Sequence, residues 1–261
     1  MSFADMKIGY HIRKSKSFLN SLSVFYGNGS KNAGKPVQLF SGAPKAWRRP
    51  TVSDEDLIKT SAYIEERKLR VFIHALYLIN LCWDSEKLAE KGLPCLKWEL
   101  ATGKRMGFKG VIVHCGKSCE MKTDVALDNM HKNLCLTLEH IDTSCPLLLE
   151  TTSGQGTETC WKYADLKKFY SRFTIEQRKK IKICIDTCHV FAAGHDPFAF
   201  ILSWVEDFPD SLRLVHFNDS KEKCGSRKDR HRSPGLGEIG PETMMRVATW
   251  CIKHDIPMVI E

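Results

Sequence analysis

The sequence lacks several features that would assign the protein to a particular class. No apolar run approaches the roughly 18 residues of a membrane-spanning helix, and the opening MSFADMKIGYHIRKSK has no apolar signal-peptide core. The eleven cysteines contain no CxxC pair, and their odd number excludes a complete disulfide framework. We therefore expect reduced thiols in an intracellular protein that is not secreted, is cytoplasmic or nuclear, and has no membrane partner.

Linkers and low-complexity tracts are also missing, which favours a single domain over residues 1–261. The composition is that of a soluble globular protein, with 43% hydrophobic and 27% charged residues. Lys and Arg number 39 against 31 Asp and Glu, so the net charge is +8 and the pI is about 8.9. This balance weakly favours a polyanionic partner.

Short apolar runs recur along the chain, and most of them end on a residue that can bind a metal ion. Six such runs lie 30 to 45 residues apart, which is the length that a strand, a helix and two loops need. Two further runs, Lys7–Ile12 and Val37–Phe40, precede them and bring the number of candidate strands to eight. The six runs end at His74, His114, Glu150, Asp186, His216 and Glu261.

The segments between these runs carry helix signals. Ser53 followed by three acidic residues predicts a helix start, and Gly240-Pro241 predicts another. Strands alternating with helices predict a parallel sheet, and eight such units predict an α/β protein with the (β/α)8 TIM-barrel fold. Residues 14–35 are the least patterned, with a loop at Gly27–Gly34. Apolar spacings of three and four predict buried helix faces within 127–141, 166–173, 197–208 and 244–251.

In such a barrel the carboxyl ends of the strands form the active-site face, so the six run-ending residues should converge on one rim. Each of them alone has an ordinary explanation. A strand-end His is more often a hydrogen-bonded structural residue, Glu150 could lie on the surface, and Asp186 could cap the next helix. Six consecutive units each place a His or a carboxylate at the last residue of the apolar run, and chance is a poor explanation of this coincidence.

The stretch from Leu212 to Gly240 adds further candidates. After the strand that ends at His216, a polar loop contains Asp229-Arg230-His231. Residues i and i+2 of an extended segment point the same way, so Asp229 and His231 can face one metal ion. The loop is rich in basic residues, and a ligand set within a basic loop suits phosphate chemistry.

These residues and His189 make nine nitrogen and oxygen ligands, more than one tetrahedral ion can use. Two or three ions, with a carboxylate bridging a pair, fit the set. Imidazole with carboxylate suits Zn²⁺, and Mn²⁺ or Fe²⁺ is compatible. The nine are His74, His114, Glu150, Asp186, His189, His216, Asp229, His231 and Glu261.

Three segments closely resemble signatures of the endonuclease IV family of apurinic/apyrimidinic endonucleases. They are ETTSGQG from Glu150, DTCHVFAAGHD from Asp186, and HFNDSK from His216 followed by GSRKDRH. Weaker likeness covers nearly the whole chain. The resemblance implies a (β/α)8 barrel with three zinc ions that cleaves double-stranded DNA 5′ to an abasic site. It further implies that the products are a 3′-hydroxyl and a 5′-deoxyribose phosphate, and that 3′-blocking groups are also removed.

The resemblance also implies how the ligands are shared. Glu150 would bridge the first two ions, and Glu150, Asp186 and Glu261 would be the catalytic residues around the attacking water. The implied ligand sets are His74, His114 and Glu150 for the first zinc, Glu150, Asp186, His216 and Glu261 for the second, and His189, Asp229 and His231 for the third.

Five residues are predicted to contact DNA. The segment from His74 to Asn80 resembles the family loop whose Tyr and Leu fill the duplex at the abasic gap, which implies that role for Tyr77 and Leu78. A buried aromatic and aliphatic pair is the alternative interpretation. Lys45 stands where the family carries an inserted Arg, although a Lys cannot bind bidentately. Arg227 and Arg230 of the basic loop complete the set.

Two other functions remain open on the sequence. A metal-dependent sugar isomerase or epimerase on a similar barrel would need an enclosed pocket and fewer metals, and a DNA-damage binding protein would need only a degenerate site. The Asp229-Arg230-His231 loop argues against the first, and the intact ligand set argues against the second. We expect the active form to be a monomer.

The sequence ends at Glu261, and no eighth helix follows the last strand. In a (β/α)8 barrel that helix covers the outer faces of the last and first strands, so Met258 and Ile260, or their neighbours, should meet water. Residues Met1–Ala4 with the 14–35 segment could cover them, as could a partner or a longer chain. We expect one of the last two.

Overall fold

The computed structural model describes residue 3 and residues 6–27 and 30–261, and eight of its strands close into a parallel barrel. Two further short strands, β8 (Asp219–Ser220) and β9 (His231–Arg232), form a separate antiparallel pair, and the barrel closes where β1 (Ile8–Ile12) pairs with β10 (Met258–Ile260). The predicted TIM barrel is confirmed, while the single domain over 1–261 stays a prediction. The strands are β1 (Ile8–Ile12), β2 (Val37–Phe40), β3 (Val71–His74), β4 (Val111–His114), β5 (Leu147–Glu150), β6 (Ile181–Asp186), β7 (Leu212–His216), β8 (Asp219–Ser220), β9 (His231–Arg232) and β10 (Met258–Ile260).

Helices cover the outside of the barrel, and two of them begin where the sequence signals at Ser53 and Gly240-Pro241 predict. Ser53 caps the second helix by accepting a hydrogen bond from the Asp56 amide at 3.1 Å, and the last helix begins at Pro241. No described helix combines the length and the apolar character that a membrane crossing requires. The helices are α1 (Phe18–Phe25), α2 (Asp54–Glu66), α3 (Ser85–Glu90), α4 (Gly92–Met106), α5 (Thr123–Thr137), α6 (Tyr163–Tyr170), α7 (Ile175–Lys180), α8 (Thr187–Ala192), α9 (Pro197–Asp207) and α10 (Pro241–Lys253).

The least patterned segment contains a helix that the sequence did not reveal. Helix α1 has eight residues and buries only Phe18, Ser21 and Leu22, which is too few apolar positions to give a helical period. Phe173 and Ile141 were predicted on helix faces and are buried, but they lie past the ends of α6 and α5.

One layer of side chains fills the barrel interior and explains why the strand ends converge. Side chains two residues apart on a strand point the same way, so the residue two positions after each layer member also points inward. Those following residues are the six strand-end candidates, which therefore lie directly on top of the apolar layer. The layer consists of Phe72, Ile112, Leu148, Cys184, Leu214 and Val259.

The expected exposure of Met258 is wrong. Met258 is 1% exposed and belongs to the cluster that contains Ile8, its partner in β1. Ile260 is half-buried and Tyr10, which pairs with it, is 42% exposed, so the exposed part of this face lies nearer the strand ends. Met1–Ala4 were considered as a possible cover for the outer faces of the last and first strands. Residues 1, 2 and 4 of this segment lie outside the described residues.

Candidate metal centre

The nine predicted ligands meet at the carboxyl-terminal rim of the barrel. They fall into overlapping groups whose ligand atoms lie within 4.8 Å of one another. Glu150, which is 0% exposed, belongs to two of the groups, as do Asp186 and His231. The groups are His74, His114 and Glu150; Glu150, Asp186, His216 and Glu261; Asp186, His189 and His231; and Cys188, Asp229 and His231.

His74 and His114 point at the same oxygen of Glu150. Their Nε2 atoms lie 3.1 and 3.0 Å from Glu150 Oε2. His74 Nδ1 lies 2.7 Å from the Ala75 carbonyl, which can only accept, so Nδ1 carries the proton. In the neutral imidazole, His74 Nε2 then turns a lone pair toward a carboxylate oxygen.

His216 repeats this arrangement in the second group with its ring nitrogens exchanged. Its Nε2 donates to Gln38 Oε1 at 2.7 Å, and its Nδ1 lies 2.9 Å from Glu150 Oε1 and 3.3 Å from Glu261 Oε2. Burial lowers the pKa of His216, but the facing Cys184 thiol and the carboxylates of Glu261 and Glu150 raise that pKa well above its usual range. In the neutral ring, the lone pair on Nδ1 would therefore face two carboxylates.

The loop residues Asp229 and His231 form one group with Cys188, and His231 also forms another group with Asp186 and His189. His189 donates from Nδ1 to the Thr151 carbonyl at 2.8 Å, and its Nε2 lies 3.3 Å from Asp229 Oδ2. His231 Nε2 lies 3.0 Å from Asp229 Oδ1, yet this buried atom has no hydrogen-bond partner of suitable geometry among the described residues. Burial raises the pKa of Asp229, but His189 and His231 lower it below its usual range.

Asp186 serves both the helix and the site. As the N-cap of α8, its Oδ1 accepts a hydrogen bond from the His189 amide at 2.9 Å, which sets His189 one turn into the helix. Its Oδ2 accepts a hydrogen bond from Asn218 Nδ2 at 2.7 Å and lies 3.6 Å from His231 Nε2. The capping role considered from the sequence therefore coexists with a place in the ligand cluster.

Four residues around the ligands escaped sequence reasoning. Gln38 links two ligands, because its Oε1 accepts from His216 while its Nε2 donates to Glu261 Oε1 at 2.6 Å. Its one signal was a polar residue inside the buried run VQLF. His11 Nδ1 lies 3.4 Å from the same Glu261 oxygen, and Cys188 joins the Asp229 group from the position next to His189. The fourth residue, Asp219, shapes the loop that follows His231.

Asp219 is fully buried, and its carboxylate accepts hydrogen bonds from four backbone amides. Its Oδ2 accepts hydrogen bonds from Gly235 and Gly237, at 2.9 and 3.0 Å, and its Oδ1 accepts from Ser220 and Ile239, at 2.8 and 3.0 Å. A Cβ on Gly237 would lie 2.3 Å from the Ser220 carbonyl oxygen, so only glycine fits there. Asp219 thus folds the segment after His231 tightly against β8.

The five predicted DNA contacts stand around this rim. Tyr77 is 49% exposed, with its ring centroid 5.3 Å from that of His74, while Leu78 is half-buried. Lys45 and Arg230 are exposed, and Arg230 donates to the carbonyl of its neighbour Asp229. Arg227 stacks on Trp161 at 4.8 Å and donates Nε to the Gly154 carbonyl at 2.7 Å, so part of its donor capacity is used within the chain.

The donor set fits bound cations. Three of the histidines donate one N–H to a neutral oxygen and direct the other ring nitrogen toward a carboxylate oxygen. The nitrogen–oxygen distances are 3.1 Å for His74, 3.3 Å for His189 and 2.9 Å for His216. Two acceptors face each other at these distances unless a proton or a metal ion lies between them. Imidazole nitrogens and carboxylate oxygens at overlapping sites are the ligands of clustered Zn²⁺ or Mn²⁺.

Known proteins resemble this chain in sequence and in fold. A family model described as a xylose isomerase-like TIM barrel matches residues 32–249. The probable endonuclease 4 of Symbiobacterium thermophilum is 32% identical over 271 residues, covering 98% of this chain and 92% of that protein. The crystal structure of endonuclease IV from Thermus thermophilus superposes with a TM-score of 0.81 at 26% identity, covering 97% of this chain and 91% of that one.

A D-tagatose 3-epimerase-like protein superposes with a TM-score of 0.71 at 15% identity, over 97% of this chain and 89% of that one, a likeness of fold alone. The fold is therefore shared with sugar-converting enzymes, and the assignment depends on the sequence relatives and the Thermus structure. On these grounds the chain belongs to the endonuclease IV family.

Proposed function

We propose that this chain hydrolyses the phosphodiester bond 5′ to an abasic site in double-stranded DNA, leaving a 3′-hydroxyl and a 5′-deoxyribose phosphate, and also removes 3′-blocking groups. The observation that carries the proposal is the set of nine nitrogen and oxygen ligands grouped around the buried Glu150, in a member of the endonuclease IV family. The active form would be a monomer of one domain with three zinc ions, and Mn²⁺ would be an alternative.

Two of the proposed ion positions correspond to observed groups, and the third combines residues from the two remaining groups. His74 and His114 would hold one ion, Asp186, His216 and Glu261 a second, and His189, Asp229 and His231 a third, with Glu150 bridging the first two. Such ions, when bound, supply Lewis-acid stabilisation of the negative charge that develops on phosphate oxygens. They also lower the pKa of water to about 7.

The chain's own carboxylates would orient the attacking water. Glu261 is held from two sides, by Gln38 at 2.6 Å and by its own backbone amide, which donates to Asn218 Oδ1 at 3.0 Å. Asn218 also holds Asp186, so one amide fixes two ligands relative to each other. Glu150, Asp186 and Glu261 would in this way keep their oxygens in place while the phosphate changes geometry.

The surface beside the centre suits a phosphate backbone. A cavity of about 580 Å³ lies next to His11 and Phe40, and Arg13 and Lys14 contribute positive charge to its wall. Tyr77 and Leu78 would enter the gap that a missing base leaves, and Lys45, Arg227 and Arg230 would contact the strands. Selectivity would come from the low cost of distorting DNA where stacking is already lost.

Incision of a duplex that carries one abasic analogue tests the proposal. Metal-loaded protein should cut that strand once, immediately 5′ to the analogue, and leave a matched intact duplex uncut. A strong chelator should abolish the cut, and added zinc should restore it.

Binding without incision by the metal-loaded protein would instead favour a non-catalytic abasic-DNA binding protein. Conversion of sugars by a protein that does not cut DNA would favour the isomerase or epimerase alternative.

A further inference from the structure

One arginine ties together the loop Gly42–Trp47 that carries Lys45. The Arg49 guanidinium donates from Nη2 to the carbonyls of Ala43, at 3.4 Å, and Ala46, and its Nε lies 3.5 Å from the Trp47 carbonyl. A single planar group therefore reaches three of the loop's backbone oxygens, a geometry that a lysine ammonium cannot reproduce.

The same guanidinium is seated on a buried carboxylate. Arg49 Nη1 donates to Glu99 Oε1 at 2.8 Å and to Ser41 Oγ at 2.9 Å, and Ser41 Oγ also donates to Glu99 at 2.8 Å. The side chains of Arg49 and Glu99 are 9% and 0% exposed. Burial raises the pKa of Glu99 to about 7, while Ser41 and Arg49 oppose that rise, so the carboxylate form depends on these two partners.

The loop is also joined to the segment that carries the predicted duplex-filling pair. The Tyr77 amide donates to the Pro44 carbonyl at 3.0 Å, and the Tyr77 ring packs against Phe40 with 5.2 Å between ring centroids. A displacement of the loop at Pro44 would therefore break the hydrogen bond of the Tyr77 amide.

We propose that Arg49, seated on Glu99, is a positioning residue for lesion recognition. It holds the Gly42–Trp47 loop and, through the Pro44 carbonyl, holds Tyr77 and Leu78 in one fixed relation to the metal centre. What the two loops recognise rests on the proposed function, but the tether is a property of the chain. Among the described residues, no hydrogen bond of Arg49 involves one of the nine predicted ligands. Loss of Arg49 should therefore weaken lesion binding without removing metal.

Amide hydrogen exchange tests the tether directly. Arg49→Lys keeps the positive charge opposite Glu99 but loses the planar guanidinium that reaches several loop carbonyls. The hydrogen of the Tyr77 amide should therefore exchange about tenfold faster than in the wild type. The Ala75 amide, bonded to the Ile112 carbonyl at 2.8 Å within the barrel, is the internal reference and should be unchanged. Arg48→Lys, at the exposed neighbouring position, is the matched control and should leave both amides as they are. Wild-type protection of Tyr77 in Arg49→Lys would overturn the proposal.

A second arm separates recognition from chemistry. Arg49→Lys should bind the abasic duplex about tenfold more weakly, since charge-assisted hydrogen bonds that order the loop are lost. Its metal content, and its hydrolysis of the small diester bis(p-nitrophenyl) phosphate, should equal those of the wild type. Unchanged duplex affinity, or a loss of metal, would contradict a positioning role. If wild-type protein itself neither binds nor cuts the abasic duplex, the proposed function fails, and the exchange arm still decides whether Arg49 tethers the loop.

Discussion

His216 Nδ1 lies 2.9 Å from Glu150 Oε1 at the centre of the barrel rim, and both side chains are completely buried. Because His216 Nε2 donates to Gln38, the nitrogen that faces Glu150 carries no proton when the ring is neutral. A proton or a metal ion must then occupy the space between the two residues. The stability of the protein should therefore depend jointly on pH and on metal.

The first prediction follows from the raised histidine pKa values. Burial lowers the pKa of His189 and of His216, but the groups facing them, chiefly Asp186 and Cys184, raise both values well above 6.5. A raised histidine pKa stabilises the folded protein fully below 6.5, and this stability is lost as pH rises through the raised value. In metal-loaded protein these residues would be neutral ligands, and the loss should be absent. The Tm difference between loaded and chelated protein should therefore widen as pH rises from 6.5.

Thermal unfolding measured from pH 6 to pH 8 at fixed zinc activity checks this first prediction. A Tm difference that stays constant or narrows with rising pH would mean that the histidines are not metal ligands.

The second prediction concerns Glu261. Glu261→Gln would remove the charge of a proposed metal ligand but keeps the size of the side chain, so abasic duplex should still bind. Turnover should fall by about a hundredfold or more, as expected when a group that acts in the transition state is lost. Single-turnover incision together with a binding titration measures both quantities. Turnover like that of the wild type would remove Glu261 from the catalytic set.

The third prediction places the third ion. His231→Ala should lower the metal content by about one ion per chain and strongly reduce incision, because His231 Nε2 is directed into the Asp229 group. His254→Ala is the control, since His254 caps the far end of α10 and stacks on Trp250 at 4.3 Å. Elemental analysis of the two purified variants gives the answer. If the two metal contents are equal, the third site lies elsewhere.

The fourth prediction concerns the basic rim. Affinity for abasic duplex should fall steeply with salt, since each neutralised phosphate contributes about 0.9 to the slope of log K against log [salt]. Arg230→Gln should reduce that slope by about one and weaken binding to abasic and intact duplex alike, if Arg230 contacts a phosphate. Binding isotherms at four or five salt concentrations suffice. An affinity that barely changes with salt would argue against DNA as the partner of this face.

The positions of the strand-end residues could be predicted because two local rules determine them. Parallel strands end at one rim, and residues two apart share a face, so the residue two positions after Phe72, His74, had to point inward. The same reasoning holds for Ile112 and His114 and for Leu214 and His216. These relations need only the spacing within a strand and the order of the strands.

The residues that support the ligands could not be predicted in this way, because their partners are distant in the sequence. Gln38 bonds His216, 178 residues away, and Arg49 bonds Glu99, 50 residues away. Nothing local to VQLF or to the helix around Glu99 indicates such a partner. The burial of Met258 escaped for the same reason, since its neighbour Ile8 lies at the other end of the chain.

The most direct test of the proposed three-ion centre is a zinc titration of metal-free protein, with bound zinc and the incision rate measured on the same samples. The nine-ligand arrangement predicts that incision of the abasic duplex rises until three zinc ions are bound per chain and then levels off. An incision rate that already reaches its maximum when one zinc ion is bound per chain would contradict the proposed three-ion centre.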